Sequence, residues 1–148
     1  IYTDGSAIGN PGPGGYGIVM LIHDESYKKE FSQGYKLTTN NRMELLAVIV
    51  SLEKLKIKNS NVQIYTDSKY VSDAVEKGWL FNWEKIKFKN KKNSDLWKRF
   101  LEIFKDHNVK FKWVKGHNNN FYNERCDFLA NLAAKGSNLI EDIGYNNL

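Results

Sequence analysis

A chain of 148 residues, 41% hydrophobic and carrying four tryptophans, can bury roughly 70% of its extended-chain surface in one domain, which excludes a disordered chain. Its single cysteine excludes a disulfide framework and fits a reducing compartment, and no apolar run approaches the length of a membrane span. A net charge of +5 with a pI near 9.2 allows an anionic partner.

The chain opens inside a β-branched run without a methionine, so its first strand is expected to be trimmed at the N-terminus, with one domain spanning 1–148. That run, Ile1-Tyr2-Thr3-Asp4, is echoed by Ile64-Tyr65-Thr66-Asp67. Each reads as a buried strand ending in an aspartate. If the two strands are parallel neighbours about 4.8 Å apart, the carboxylates stand side by side at the carboxyl edge of the sheet. Two acids so placed need a shared proton or a cation. The alternative is two unrelated strand-capping aspartates.

Between Gly5 and Gly15 the glycines and prolines predict a loop whose backbone approaches something closely. Two strands follow, Tyr16 to Ile22 and Glu30 to Leu37, with a bulge expected at Gly34. Thr39-Asn40-Asn41 offers cap residues, and Asn41-x-x-Glu44 reads as a capping pair for a core-facing helix to about Lys56. Asn61 to Thr66 is the second aspartate-bearing strand, and Ser68 to Glu76 a helix ended by Gly78. From Trp79 to Trp97, five lysines (85, 87, 89, 91 and 92) face only Glu84 and Asp95 and alternate with aromatic residues, a pattern suited to nucleic acid. Asp95 opens a helix to about His107; Val109 to Val114 reads as a strand near a sheet edge. A Gly/Asn loop then leads to a last helix from near Asn123 to Ala134, whose alanines allow close packing, and a polar tail. The order predicts an α/β protein, a mixed sheet with helices on its faces.

Four acids fall at element ends facing one edge: Asp4, Glu44, Asp67 and Asp127. Glu44 alone is explained as a capping partner and Asp127 as a complement to a helix dipole. Together, four hard oxygen ligands without cysteines or a histidine cluster suit Mg²⁺ or Mn²⁺ rather than zinc.

Tyr2-Thr3-Asp4-Gly5-Ser6 with Gly9-Asn10-Pro11-Gly12, the run Thr38 to Leu45, Thr66-Asp67-Ser68-x-Tyr70-Val71, and Trp113 to His117 followed by Asn123 to Asp127 resemble type 1 ribonuclease H, in order and over nearly the whole chain. Asp95-Leu96-Trp97 and Gly144-Tyr145 agree as well. The resemblance implies a ribonuclease H-like fold, with a five-stranded mixed sheet and helices on both faces. It also implies a metal-dependent endonuclease cutting the RNA strand of RNA–DNA hybrids and leaving 5′-phosphate and 3′-hydroxyl ends. By the same resemblance Asp4 bridges two Mg²⁺ ions (Mn²⁺ a substitute), with Asp127 on the nucleophile side and Glu44 and Asp67 on the other. His117 assists proton transfer or product release, with Glu124 as its partner. Gly5, Gly9 and Asn10, with Asn40, Asn41 and Glu44, would meet the hybrid and its 2′-hydroxyls; Thr39 and Asn40 would hold a DNA phosphate. Trp79, Lys85, Lys87 and Lys89 would follow the DNA strand. A monomer is expected, in the cytoplasm. Lys69, Ile86 and Phe88 depart from the bacterial pattern, and Cys126 reads as a small core residue. The alternatives are the ribonuclease H domain of a reverse transcriptase, a more distant integrase-like nuclease, and a non-catalytic hybrid-binding module.

Overall fold

The computed structural model describes residues 1–22, 26–116 and 119–146. The strands are β1 (Tyr2–Ala7), β2 (Gly12–Ile22), β3 (Tyr27–Thr38), β4 (Asn61–Thr66), β5 (Asn108–Trp113) and β6 (Leu139–Ile140). The helices are α1 (Asn40–Glu53), α2 (Lys69–Glu76), α3 (Trp79–Lys85), α4 (Ser94–Phe104), α5 (Phe121–Lys135) and α6 (Ile143–Asn146). The sheet runs β5-β4-β1-β2-β3-β6, mixed and six-stranded rather than five, because the expected polar tail contributes β6 and α6. The Lys-bearing β5 does lie at an edge.

The two aspartate strands are parallel neighbours, with Tyr2 opposite Tyr65. β1 does not stop at Asp4, however. It runs on to Ala7 along β2, so Gly12–Gly15 belong to a strand and the connecting turn shrinks to residues 8–11. On the other side β4 ends at Thr66 and turns into α2. The second half of β1 therefore has a partner on one flank only, and a cleft opens beside Asp4.

Helices approach β1 and β2 from both faces. A β-carbon on Gly5 would overlap the α1 backbone at Met43 and Glu44, and one on Gly17 would overlap the α5 backbone at Cys126. Gly5 and Gly15, read as loop-formers, are thus contact points for helix backbones, as is Gly17 within its strand. Gly34 makes no bulge: it pairs regularly with Gly15, and the irregularity falls between Gly12 and Gly14. Ala130 and Ala134 are buried against the sheet, as their small size predicts.

α1 is buried almost all round, lying between the sheet and α4. Its cap is Thr39 rather than Asn41: the Thr39 hydroxyl accepts from the Arg42 N–H at 3.3 Å. Glu44 is thereby freed from capping. Arg42 is 1% exposed, and its guanidinium binds Asp95 and Asp142 bidentately at 2.8–2.9 Å. That cluster ties the tail to α1 and α4. The basic segment is itself folded. Leu80 and Phe88 are buried, Trp83 meets Trp97 edge-on at 5.8 Å, and the lysines remain outside. Phe88, a departure from the bacterial pattern, is therefore an anchor of this segment.

Candidate active site

Three carboxylates meet where β1, β4 and α1 converge. The register of Tyr2 against Tyr65 carries Asp4 level with Asp67, and the first turns of α1 bring Glu44 across from them. A ligand oxygen from each of Asp4, Glu44 and Asp67 lies within 4.8 Å of the others. Asp4 is 6% exposed and Glu44 8%. The Gly5 N–H donates to Asp4 Oδ1 at 2.9 Å and also to Glu44 Oε1, so one backbone donor joins both acids. Asp67 is fixed by its backbone: its carbonyl accepts from Trp113 Nε1 at 2.9 Å, and Ser68 caps α2 immediately after it.

Asp127 lies outside that tight trio but on the wall of the same open cleft, whose volume is 390 Å³. It sits in the second turn of α5, half-buried, with Asn131 one turn further on. Burial pushes the Asp4 carboxyl up to about 7, against the lowering effect of its hydrogen bond with Glu44; the charges of Asp67 and Asp127 push it further up. Glu44 is held well above its ordinary value by burial and then by the neighbouring Asp4. The cluster therefore retains a proton near neutrality unless a cation takes its place. Carboxylate oxygens at this spacing suit a hard divalent cation such as Mg²⁺ or Mn²⁺.

A second depression of 630 Å³ lies alongside, with Asn10, Thr39, Asn40, Lys91, Asn93 and Tyr145 on its walls. Gly9 (φ +79) turns the β1–β2 connection, so that Asn10 Oδ1 accepts from the Asn40 N–H at 3.0 Å while Asn40 Oδ1 accepts from the Ala7 N–H at 2.5 Å. Asn10, Thr39 and Asn40 are thus gathered at this depression with Gly9 at the adjoining turn, and Asn41 is exposed where the two depressions meet. Trp79, Lys85, Lys87 and Lys89 line neither depression; they are exposed on the basic segment. Glu124 is exposed on the first turn of α5, and His117 lies outside the described residues. Cys126 is buried and donates to the Tyr2 carbonyl at 3.2 Å, in keeping with a core role. Sequence reasoning missed Ser6, Ser68 and Tyr70 on the wall of the cleft, and Asn131, which holds Asp127 from behind. The i, i+4 spacing of Asp127 and Asn131 was the available signal.

The same architecture recurs in solved proteins. A crystal structure of a type 1 RNase H with the type 2 active-site motif superposes with a TM-score of 0.80 at 30% identity, covering 99% of this chain and 77% of that one. An RNase H1 solved in complex with an RNA/DNA hybrid gives a TM-score of 0.68 at 27% identity, covering 90% and 94%. The protein is therefore a nuclease of the ribonuclease H fold. The RNase H family model matches residues 1–135. Ribonuclease H of Trichodesmium erythraeum is 55% identical over 98% of this chain and 94% of its own length, and that of Desulforamulus reducens 56% over 97% and 91%. The chain belongs to the type 1 ribonuclease H family and is an endoribonuclease.

Proposed function

We propose that this protein hydrolyses the RNA strand of RNA–DNA hybrids using two divalent cations, Mg²⁺ in the first instance, held by Asp4, Glu44, Asp67 and Asp127. The observation that carries the reading is the convergence of Asp4, Glu44 and Asp67 within 4.8 Å, with Asp127 on the same cleft. Bound there, such cations activate a water and neutralise both the attacking and the leaving oxygen of an in-line displacement. The chain's own contribution is positional. Asp4, at the centre, would release its retained proton to solvent as a cation binds. Glu44 and Asp67 serve one side of the site and Asp127 the side of the attacking water. Attack by water with the 3′-oxygen as leaving group breaks the P–O3′ bond and leaves a 5′-phosphate and a 3′-hydroxyl. His117 moves a proton or helps product leave.

Recognition follows from the two depressions. Gly5, Gly9, Asn10, Asn40 and Asn41 meet the minor-groove face, where 2′-hydroxyls distinguish RNA from DNA. Thr39 and Asn40 hold a phosphate of the DNA strand, and Lys85, Lys87 and Lys89 with Trp79 follow that strand further out. Residues 1–148 act as one catalytic domain, as a monomer and in the cytoplasm. Among the described residues no helix is long and apolar enough to cross a membrane. The test is product chemistry combined with single substitutions. Asp4→Asn, Glu44→Gln, Asp67→Asn and Asp127→Asn should each lower kcat by at least a hundredfold, and wild-type fragments should be extendable by a polymerase at their 3′ ends. Products with 3′-phosphates, or full activity in Asp4→Asn, would refute the reading.

A further inference from the structure

Asp4, Glu44 and Asp67 hold one another within a buried cluster, but Asp127 stands alone on a helix face. Its carboxylate is nevertheless constrained. Asn131 Nδ2 donates to Asp127 Oδ1 at 3.1 Å and to the Asp127 carbonyl at 3.0 Å. Both acceptors lack a proton to give when the acid is ionised, so the amide must turn its NH₂ toward them and its oxygen away. That oxygen, Asn131 Oδ1, meets Ser6 Oγ at 3.3 Å, and the hydroxyl must then be the donor. The direction of each hydrogen bond in the chain Ser6 → Asn131 → Asp127 is thus fixed by chemistry. Ser6 lies two residues beyond Asp4 on β1 and lines the same cleft.

From this geometry we infer that Asn131 is a positioning residue: anchored by Ser6, it engages Oδ1 of Asp127 and leaves Oδ2 to serve a cation. The inference rests on the assignment of Asp127 to the metal site. The device links the last helix to the strand that carries Asp4, so the distance between the two acids is set by side chains as well as by backbone packing. Partners behind a metal ligand typically alter metal affinity or activity by about 10–100-fold when lost.

Asn131→Ala should raise the Mg²⁺ concentration for half-maximal cleavage about tenfold and lower kcat, with KM for the hybrid unchanged. Asn131→Asp keeps the size but removes the donor, and should be at least as impaired; full tolerance of it would mean that Asn131 only fills space. A readout free of turnover uses Asp67→Asn protein saturated with hybrid, where cleavage is blocked and the Asp127 side is intact. Adding Asn131→Ala there should weaken Mn²⁺ binding, followed by electron paramagnetic resonance, about tenfold. Unchanged Mg²⁺ dependence and Mn²⁺ binding, with Asp127→Asn inactive, would overturn the positioning role alone. An active Asp127→Asn would overturn the assignment of Asp127, and this inference with it.

Discussion

Replacing Asp4 by asparagine should stabilise the metal-free protein while abolishing cleavage. Asp4 is 6% exposed and shares the Gly5 N–H with Glu44, and its oxygen lies within 4.8 Å of those of Glu44 and Asp67. One pair of full charges at that separation repels by about 3.5 kcal/mol at an effective dielectric constant of 20. Burial first, and then the charges of Asp67 and Asp127, raise the Asp4 carboxyl from an ordinary 3.8 to about 7, so the folded state binds a proton that the unfolded chain releases. Its stabilising share is complete below the unfolded value and is lost as pH climbs through about 7, amounting to about 4 kcal/mol at pH 8. The asparagine variant escapes that loss. In EDTA at pH 8 it should melt about 5–15 °C above the wild type, with the gap narrowing to about 1–2 kcal/mol at pH 5. Thermal unfolding followed by circular dichroism across pH, with and without Mg²⁺, measures this directly. Saturating Mg²⁺ should stabilise the wild type more than the variant. A variant less stable than wild type at pH 8 in EDTA, or a gap independent of pH, would refute the argument from burial and charge crowding at Asp4.

Substituting Lys87, Lys89 and Lys91 with alanine should weaken hybrid binding and flatten its logarithmic salt dependence by about 2–3, as for the loss of that many phosphate contacts; an unchanged slope would remove the basic segment from the interface. Asp142→Ala strips the buried Arg42 of one bidentate partner and should lower unfolding stability in urea by about 3–5 kcal/mol; a loss below about 1 kcal/mol would show the tail to be dispensable. Gly5→Ala forces a methyl into the backbone of Met43 and Glu44, so about 1–3 kcal/mol of stability should go together with activity, because β1 and α1 carry Asp4 and Glu44; an active, stable variant would contradict the close approach.

The site was legible because its chemistry is local in sequence. The repeated Tyr-Thr-Asp runs mark two parallel strands, and carboxylates at element ends mark the edge where they meet. What escaped was set at long range. A two-residue strand has no periodicity, and the Arg42–Asp142 pair spans a hundred residues of chain, so the tail read as irregular. Glycines at 5 and 15 look like turn residues until helices arrive on both faces of β1 and β2. Thr39 and Asn41 are both good caps; Glu44, the partner that would have favoured Asn41, faces Asp4 instead. Asn131 has the i, i+4 spacing, but only the arrival of Ser6 from β1 distinguishes it from an ordinary helix-surface amide.

One end-labelled RNA strand, offered alone, paired with RNA and paired with DNA, each with Mg²⁺ or EDTA, tests the central claim most directly. The RNA–DNA hybrid should be cut in Mg²⁺, and nothing else should be. Cutting in EDTA, equal cutting of single-stranded RNA, or tight hybrid binding without cleavage in Mg²⁺ would contradict it.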